Sequence, residues 1–230
     1  MKVLSLGAGV NSTALLVLKA EGKVNFDLAI FADTGCEHPE TYEYIEKVIK
    51  PFCQKHNIQL VIAKREGKNL YEQFWEWHMV PLRRYRICTD HFKIRVIRKY
   101  LCKNYGNEQI TTLIGIDAGE AHRAKENCGN EYPLIEMGID RDKCKQIIKD
   151  ANLPIPIRSG CYVCPFQKVR AIKWLKRKHP DLFQKAVLLE KNGQHYPKMT
   201  IKQGKTLEEV VSKTEMCDYL GDSCAFCEIE

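Results

Sequence analysis

Long apolar runs are missing from this chain: no stretch approaches the roughly 20 apolar residues that a membrane-crossing helix needs. The opening MKVLSLGAGV runs straight into glycines without a cleavable signal pattern, so a cytoplasmic protein with no membrane association is expected. There is no internal repeat and no low-complexity tract, which excludes repeat and tail-like architectures. What is there has the make-up of an ordinary folded chain, 44% hydrophobic and 28% charged. Its 230 residues suit one large α/β domain, or a domain of about 150 residues with a smaller companion.

The net charge of +7 is concentrated. Arg83, Arg84 and Arg86 form one knot, followed by Lys93, Arg95, Arg98, Lys99 and Lys103; KVRAIKWLKRKH, from Lys168 to His179, forms a second. Each cluster alone reads as a solvated helix face, and the two together make a polyanion such as RNA or DNA a candidate partner. Eleven cysteines is an odd number, so they cannot all pair within one chain. Without a secretory signal, metal binding or thiol chemistry accounts better for the clustered ones. Cys53, Cys102 and Cys144 sit in helical patterns and read as small apolar residues.

Short apolar runs alternate with amphipathic stretches in the first half. KVLSLG, FDLAIFAD, QLVIAKR and TTLIGID are the expected strands; STALLVLKAEG, residues 39–56 and TDHFKIRVIRKYLCKNYG are the expected helices. This pattern predicts an α/β fold, a Rossmann-like, doubly wound and mostly parallel sheet, whose ligands bind at the carboxyl ends of the strands. The polar residues of interest fall at those ends: Gly7 to Ser12, Asp33 to Gly35, and Asp117 to Glu120. From about Leu153 the chain becomes proline- and cysteine-rich, then basic. The expected division is a nucleotide-binding domain over 1–152 and a smaller cysteine-rich, metal-binding region over 153–230.

The stretch LSLGAGVNSTALL carries the first chemical signal. Gly7 and Gly9 allow close approach of backbone at a helix N-terminus, where free N–H groups and the helix dipole favour an anion. Ser12 and Thr13 can add hydroxyls. A plain strand-to-helix turn capped by Asn11 or Ser12 is the equal alternative on these residues alone. Neither the dinucleotide glycine pattern nor a Gly-Lys-Ser/Thr phosphate loop is present.

The same stretch resembles the pyrophosphate loop of the N-type ATP pyrophosphatases, whose usual form is Ser-Gly-Gly-x-Asp-Ser; Gly7, Ala8 and Asn11 depart from it. Asp33-Thr34-Gly35 with Pro39-Glu40-Thr41, then RICTDHFKI (Arg86 to Ile94), then GIDAGEAHRA (Gly115 to Ala124), resemble segments of the phosphoadenosine phosphosulfate reductase branch. In the last of these Gly115, Glu120 and Arg123 match, and Asp117 stands where arginine is usual. RSGCYVCPF resembles the paired-cysteine segment of iron–sulfur members. The resemblance spans most of residues 1–185. It implies a five-stranded sheet binding ATP or a related adenylyl nucleotide with Mg²⁺. Gly7, Ala8, Gly9, Asn11, Ser12 and Thr13 would hold phosphates, Asp33 and Thr34 the adenine and ribose side, and Gly115 and Glu120 would complete the nucleotide site. Arg123 would offset developing phosphate charge. Asp33 as a strand-end turn former and Arg123 as a surface ion-pair residue are the plain alternatives.

Cys161-x-x-Cys164 and Cys224-x-x-Cys227 supply four thiolates, which suit tetrahedral zinc or an iron–sulfur cluster. Spacing alone favours zinc; Pro165 and the family resemblance favour a 4Fe–4S cluster. Cys88 is the other expected catalytic residue beside Arg123, or a replacement ligand for Cys224 or Cys227. Three activities follow. The first is ATP-dependent adenylation of an acceptor followed by sulfur transfer, from a sulfur donor that the sequence does not name. The second is reduction of an adenylyl sulfate, weakened because the chain lacks the Glu-Cys-Gly-Leu-His motif of that reaction. The third is a zinc-stapled nucleotide- or nucleic-acid-binding module without catalysis. A homodimer is a candidate assembly.

Overall fold

Side chains alternate between two apolar layers, and that alternation organises the sheet. The computed structural model describes residues 1–106, 108–125, 129–193, 199–202 and 204–212. In it β1 (Lys2–Leu6) sends Leu4 and Leu6 into one layer and Val3 into the other. β2 (Leu28–Asp33), buried throughout, splits Ala29 and Phe31 from Leu28 and Ile30 in the same way. Strands apolar on both faces need helices on both, as in a parallel α/β sheet. With β3 (Leu60–Lys64), β4 (Thr111–Ile114) and β5 (Asn130–Glu131) the five strands run in the order β3-β2-β1-β4-β5. β1 pairs in parallel with β2 and β4, and β4 with β5; Val3 lies opposite both Leu28 and Thr112. The order reverses between β1 and β4, which makes the carboxyl ends of those two strands the switch-point crevice.

The helices are α1 (Val10–Ala20), α2 (Pro39–Tyr44), α3 (Lys50–Lys55), α4 (Leu70–Glu76), α5 (Ile87–Thr89), α6 (Arg95–Tyr105), α7 (Pro133–Glu136), α8 (Arg141–Asp150), α9 (Val169–Lys178), α10 (Pro180–Asn192) and α11 (Leu207–Ser212). The long helix expected over 39–56 is α2 and α3 joined by a π-helical turn, Ile45–Ile49. Pro51 explains the widening. It lacks the N–H that the preceding turn would receive, and its ring crowds that turn. The expected helix over 89–106 likewise begins with a π-helical turn, Asp90–Ile94, ahead of α6.

The chain forms two compact units. The first comprises 1–32, 39–63 and 96–159; the second comprises 33–38, 64–95 and 160–230. In the first, α1 packs on α8, burying Leu15, Leu18, Cys144 and Ile148 in one apolar cluster. In the second, α9 packs on α10 and α11, and α10 on α4. There the buried Glu190 carboxylate accepts the Ile201 and Leu207 N–H groups at 2.9 and 2.7 Å, tying both residues to α10. The second unit thus combines the segment from 160 onward with two earlier segments, 33–38 and 64–95. Among the described residues no helix is long and apolar enough to cross a membrane.

Candidate functional site

In the first unit, the turn from β1 into α1 closes around one hydroxyl. Ser12, the third residue of α1, accepts the Gly7 and Gly9 N–H groups on Oγ at 3.2 and 3.3 Å and donates to the Gly9 carbonyl at 3.2 Å. Two backbone donors thus converge on one point at a helix N-terminus whose first turn carries no acidic residue, leaving the positive end of the dipole for an anion. Ala8 sits between them with φ of 53° and its side chain buried. Left-handed backbone costs a residue with a Cβ about 1–2 kcal/mol, and such strain collects at functional turns.

The glycines differ in what they permit. A Cβ on Gly7 would meet only Ser12 Oγ, at 3.9 Å, whereas one on Gly9 would lie 2.8 Å from Ser159 Oγ. One on Gly115 would press on the Ser12 nitrogen at 3.2 Å and on Asn11 at 3.4 Å. Gly115 is therefore the residue that lets the end of β4 approach the start of α1. Ser159 carries no signal of its own in the sequence.

Asn11 bridges the crevice. Its Nδ2 donates to the Gly115 carbonyl at 3.1 Å and to Asp117 Oδ2 at 2.9 Å, while its own Oδ1 is buried without a hydrogen-bond partner. Asp117 is 2% exposed and caps the short 3₁₀ turn Ala118–Arg123 by accepting the Glu120 N–H on Oδ1 at 3.1 Å. Burial, followed by the charges of Asp117 and Asp140, pushes the neighbouring Cys144 thiol up to about 12. Arg123 is held by Glu120 in an ion pair, with both side chains about half exposed. Thr13 is buried beside the Tyr44 hydroxyl, which burial pushes up to about 12 and which donates to the Pro154 carbonyl at 2.8 Å. Gly7, Ala8, Gly9, Asn11, Ser12 and Gly115 are thus brought together; Thr13 turns toward the core.

Asp33 and Thr34 belong to the second unit. Asp33 accepts the Gly35 N–H at 2.8 Å and pairs with Lys64 at 2.9 Å. Gly35 has φ of +73°, and a Cβ there would lie 2.8 Å from Asn69 Cβ, so only glycine fits. The loop is clipped to the cysteine segment by His38 N–H to Gly160 O (3.1 Å) and Tyr162 N–H to Cys36 O (2.9 Å). That clip delivers Cys161 to a polar cluster. Glu37 Oε1 receives Cys161 Sγ, Thr34 Oγ1 and Lys93 Nζ, each at 3.3 Å, and Thr34 Oγ1 lies 3.2 Å from Cys161 Sγ. Burial first, then the Glu37 charge, holds the Cys161 thiol well above its usual range; Lys93 acts in the opposite sense. Burial pulls the Lys93 ammonium down, but Glu37, Cys161 and Cys164 more than offset it and leave it raised. Burial also raises Cys164, whose surroundings include Cys88 and Lys93. Gln167 Nε2 donates to the carbonyls of Cys161, Tyr162 and Cys164, closing the Cys-x-x-Cys loop. Glu37 was not singled out from the sequence, because nothing in its local pattern distinguishes it from a solvent-facing residue.

Near this loop lies a set of cations on aromatic rings. The Arg83 and Arg86 guanidinium groups sit 5.0 and 5.6 Å from the Phe166 ring, and Arg84 sits 5.7 Å from Tyr85. Tyr85 is 60% exposed and Phe166 39%.

Cys161 and Cys164 offer two thiols from one tight loop, which suits either zinc or an iron–sulfur cluster in kind. Among the described residues no three His, Cys, Asp or Glu side chains are arranged to hold a metal ion. The remaining expected ligands, Cys224 and Cys227, lie outside the described residues.

A parallel sheet whose switch-point crevice ends in converging backbone donors at a helix N-terminus has the architecture of the nucleotide-binding α/β class. Residues 2–131 match the phosphoadenosine phosphosulfate reductase domain, and the chain belongs to that family. It is 27% identical over 192 residues to an uncharacterized protein of Methanocaldococcus jannaschii, covering 75% of this chain and 37% of the relative. A second uncharacterized protein of that organism is 29% identical over 203 residues, covering 80% and 46%. The chain therefore spans less than half the length of these two relatives. Among solved structures, the U34-tRNA thiolase NcsA from Methanococcus maripaludis with its 4Fe–4S cluster aligns with a TM-score of 0.50 at 15% identity. The match covers 93% of this chain and 80% of that one, and it shows a shared fold.

Proposed function

We propose that this protein is an adenylating enzyme of the ATP pyrophosphatase type that transfers sulfur to a carbonyl-bearing acceptor, with a nucleic-acid base as the acceptor. The observation that carries the reading is the convergence of the Gly7 and Gly9 N–H groups at the N-terminus of α1, in the crevice where β1 and β4 diverge. Phosphate oxygens in that turn would share the donors that Ser12 Oγ holds in position. The acceptor's carbonyl oxygen attacks the α-phosphorus of ATP and pyrophosphate leaves. A sulfur nucleophile then adds at the activated carbon, and AMP departs with the oxygen. Adenylation converts a poor leaving group into a good one. Mg²⁺ on the nucleotide would supply charge neutralisation for the departing pyrophosphate, and Arg123, on release from Glu120, would add to it.

Cys161, Cys164 and Cys88 are the thiols of the sulfur step, Glu37 and Lys93 act in opposite senses on Cys161 and Cys164, and a metal cluster bound through Cys161 and Cys164 would supply a coordination site for the transferred sulfur. The exposed Tyr85 and the arginine-flanked Phe166 suit an unstacked base and its backbone. A fold shared with a tRNA thiolase is in keeping with this assignment.

ATP supplied with and without bulk tRNA or DNA tests it. The expected result is AMP and pyrophosphate in equal amounts, stimulated by one of the polymers. The family's own description keeps a second reading, reduction of an adenylyl sulfate; sulfite released with thioredoxin as reductant would favour that instead. Nucleotide binding without turnover under all these conditions would leave a binding module.

A further inference from the structure

We infer that Asp117 is the carboxylate that meets the divalent cation on the nucleotide in the switch-point crevice, and that residue 11 is an amide because Asp117 is there. The inference rests on the nucleotide reading of the turn.

Two positions depart together from the resembled pattern: 11 is asparagine in place of aspartate, and 117 is aspartate in place of arginine. The fold brings these positions, 106 apart in sequence, to 2.9 Å. The orientation of the amide is fixed by its surroundings, since both neighbours of Nδ2, the Gly115 carbonyl and Asp117 Oδ2, are acceptors. An aspartate at 11 would turn a second carboxylate toward the first at hydrogen-bond distance, and two such groups cannot both stay ionised without a cation between them. Of these two positions only 117 therefore carries a carboxylate, and the amide at 11 donates to it in a single hydrogen bond.

The oxygens present suit a hard cation. Asn11 Oδ1 is buried and has no partner, and Asp117 Oδ2 receives one donor, which leaves it a second lone-pair site. Magnesium is commonly held by one or two protein oxygens together with substrate phosphates and water. Capping of the Ala118–Arg123 turn is the plain account of Asp117, but it uses only Oδ1, and asparagine caps as well as aspartate. It leaves unexplained a carboxylate at 2% exposure whose hydrogen bonds come from an amide and a backbone N–H; among the described residues no lysine or arginine pairs with it.

The test is calorimetric titration of ATP in Mg²⁺ and in EDTA, on the full chain and on Asp117→Asn, Asn11→Asp and the exchanged double variant Asn11→Asp/Asp117→Asn. Mn²⁺ uptake in the presence of ATP, followed by electron paramagnetic resonance, gives a second readout. The parent protein should bind ATP about tenfold more tightly with Mg²⁺. Asp117→Asn should lose that gain and the Mn²⁺ site and, relieved of the carboxylate's repulsion, should bind ATP at least as tightly as the parent in EDTA. Asn11→Asp should bind ATP more weakly in EDTA, and the double variant should recover the Mg²⁺ gain. If Asp117→Asn does not fold, the double variant decides. A Mg²⁺ gain preserved in Asp117→Asn, absent from the parent, or absent from the folded double variant overturns the inference and leaves the nucleotide site standing. A parent protein that binds ATP in neither condition overturns the nucleotide reading and this inference with it.

Discussion

Ser12→Ala separates a phosphate-binding turn from a merely local one. The side chain makes three hydrogen bonds of 3.2, 3.3 and 3.2 Å within the turn. At about 1 kcal/mol each, their loss would cost about 3 kcal/mol. Two effects reduce that figure. Gly7 is exposed, so its N–H can turn to water, and alanine inside the first helical turn recovers about 0.5 kcal/mol of helix propensity. A net loss of about 1–2 kcal/mol follows, or a Tm lower by about 2–8 °C for a chain of this size. Phosphate binding should suffer as well, because the hydroxyl that positions both backbone donors is gone; about tenfold weaker ATP binding is expected. Thermal melts with and without MgATP, together with calorimetry, measure both quantities. A lowered Tm with unchanged ATP affinity would reduce Ser12 to a local cap and refute the phosphate reading of the turn.

Gly115→Ala should lower stability by about 1–3 kcal/mol and weaken ATP binding together, since its Cβ presses on the α1 backbone at 3.2 Å; Gly7→Ser, with nothing nearer than 3.9 Å, should stay within about 0.5 kcal/mol of the parent in melts. Glu37→Gln should cost about 1–2 kcal/mol, short of the 3–5 typical of a fully buried pair, because Lys93 keeps 42% side-chain exposure and can reach water. The Cys161 thiol should titrate lower in Glu37→Gln and higher in Lys93→Met, measured by thiolate ultraviolet absorbance; shifts of the same sign would contradict the cluster as described. Burial pushes Cys36 and Cys144 up to about 12 and Cys53 up to about 11 from an ordinary 9.0. The unfolded chain then loses these protons first, so their contribution to stability is complete below pH 9 and falls between about 9 and 12; a Tm that stays flat across that window would count against it.

Much of the architecture was legible because apolar runs of strand length, separated by helices, leave few choices but a parallel sheet. β1 to β4 all fall within the runs read from sequence. β5 did not announce itself: two residues, Asn130 and Glu131, pair with β4 but carry no apolar signal of their own. The π-helical turns were invisible to a 3.6-residue period. The division into units was also hidden, since 33–38 and 64–95 join the cysteine-bearing segment through contacts distant in sequence. At the site, Gly7, Gly9, Ser12 and Gly115 were readable from turn chemistry and family resemblance. The pairing of Asn11 with Asp117 was not, although both depart from the resembled pattern, because only the fold brings them within 2.9 Å. Thr13 reads as a phosphate-side hydroxyl from the family resemblance and is buried in α1.

The most direct test of the central claim is the identity of the products formed from ATP labelled at the α- and γ-phosphates, incubated anaerobically with the full chain, Mg²⁺ and bulk tRNA or DNA. Cleavage between the α- and β-phosphates, giving AMP and pyrophosphate, is the predicted result. ADP and orthophosphate, or labelled ATP recovered intact from a stable complex, would contradict it.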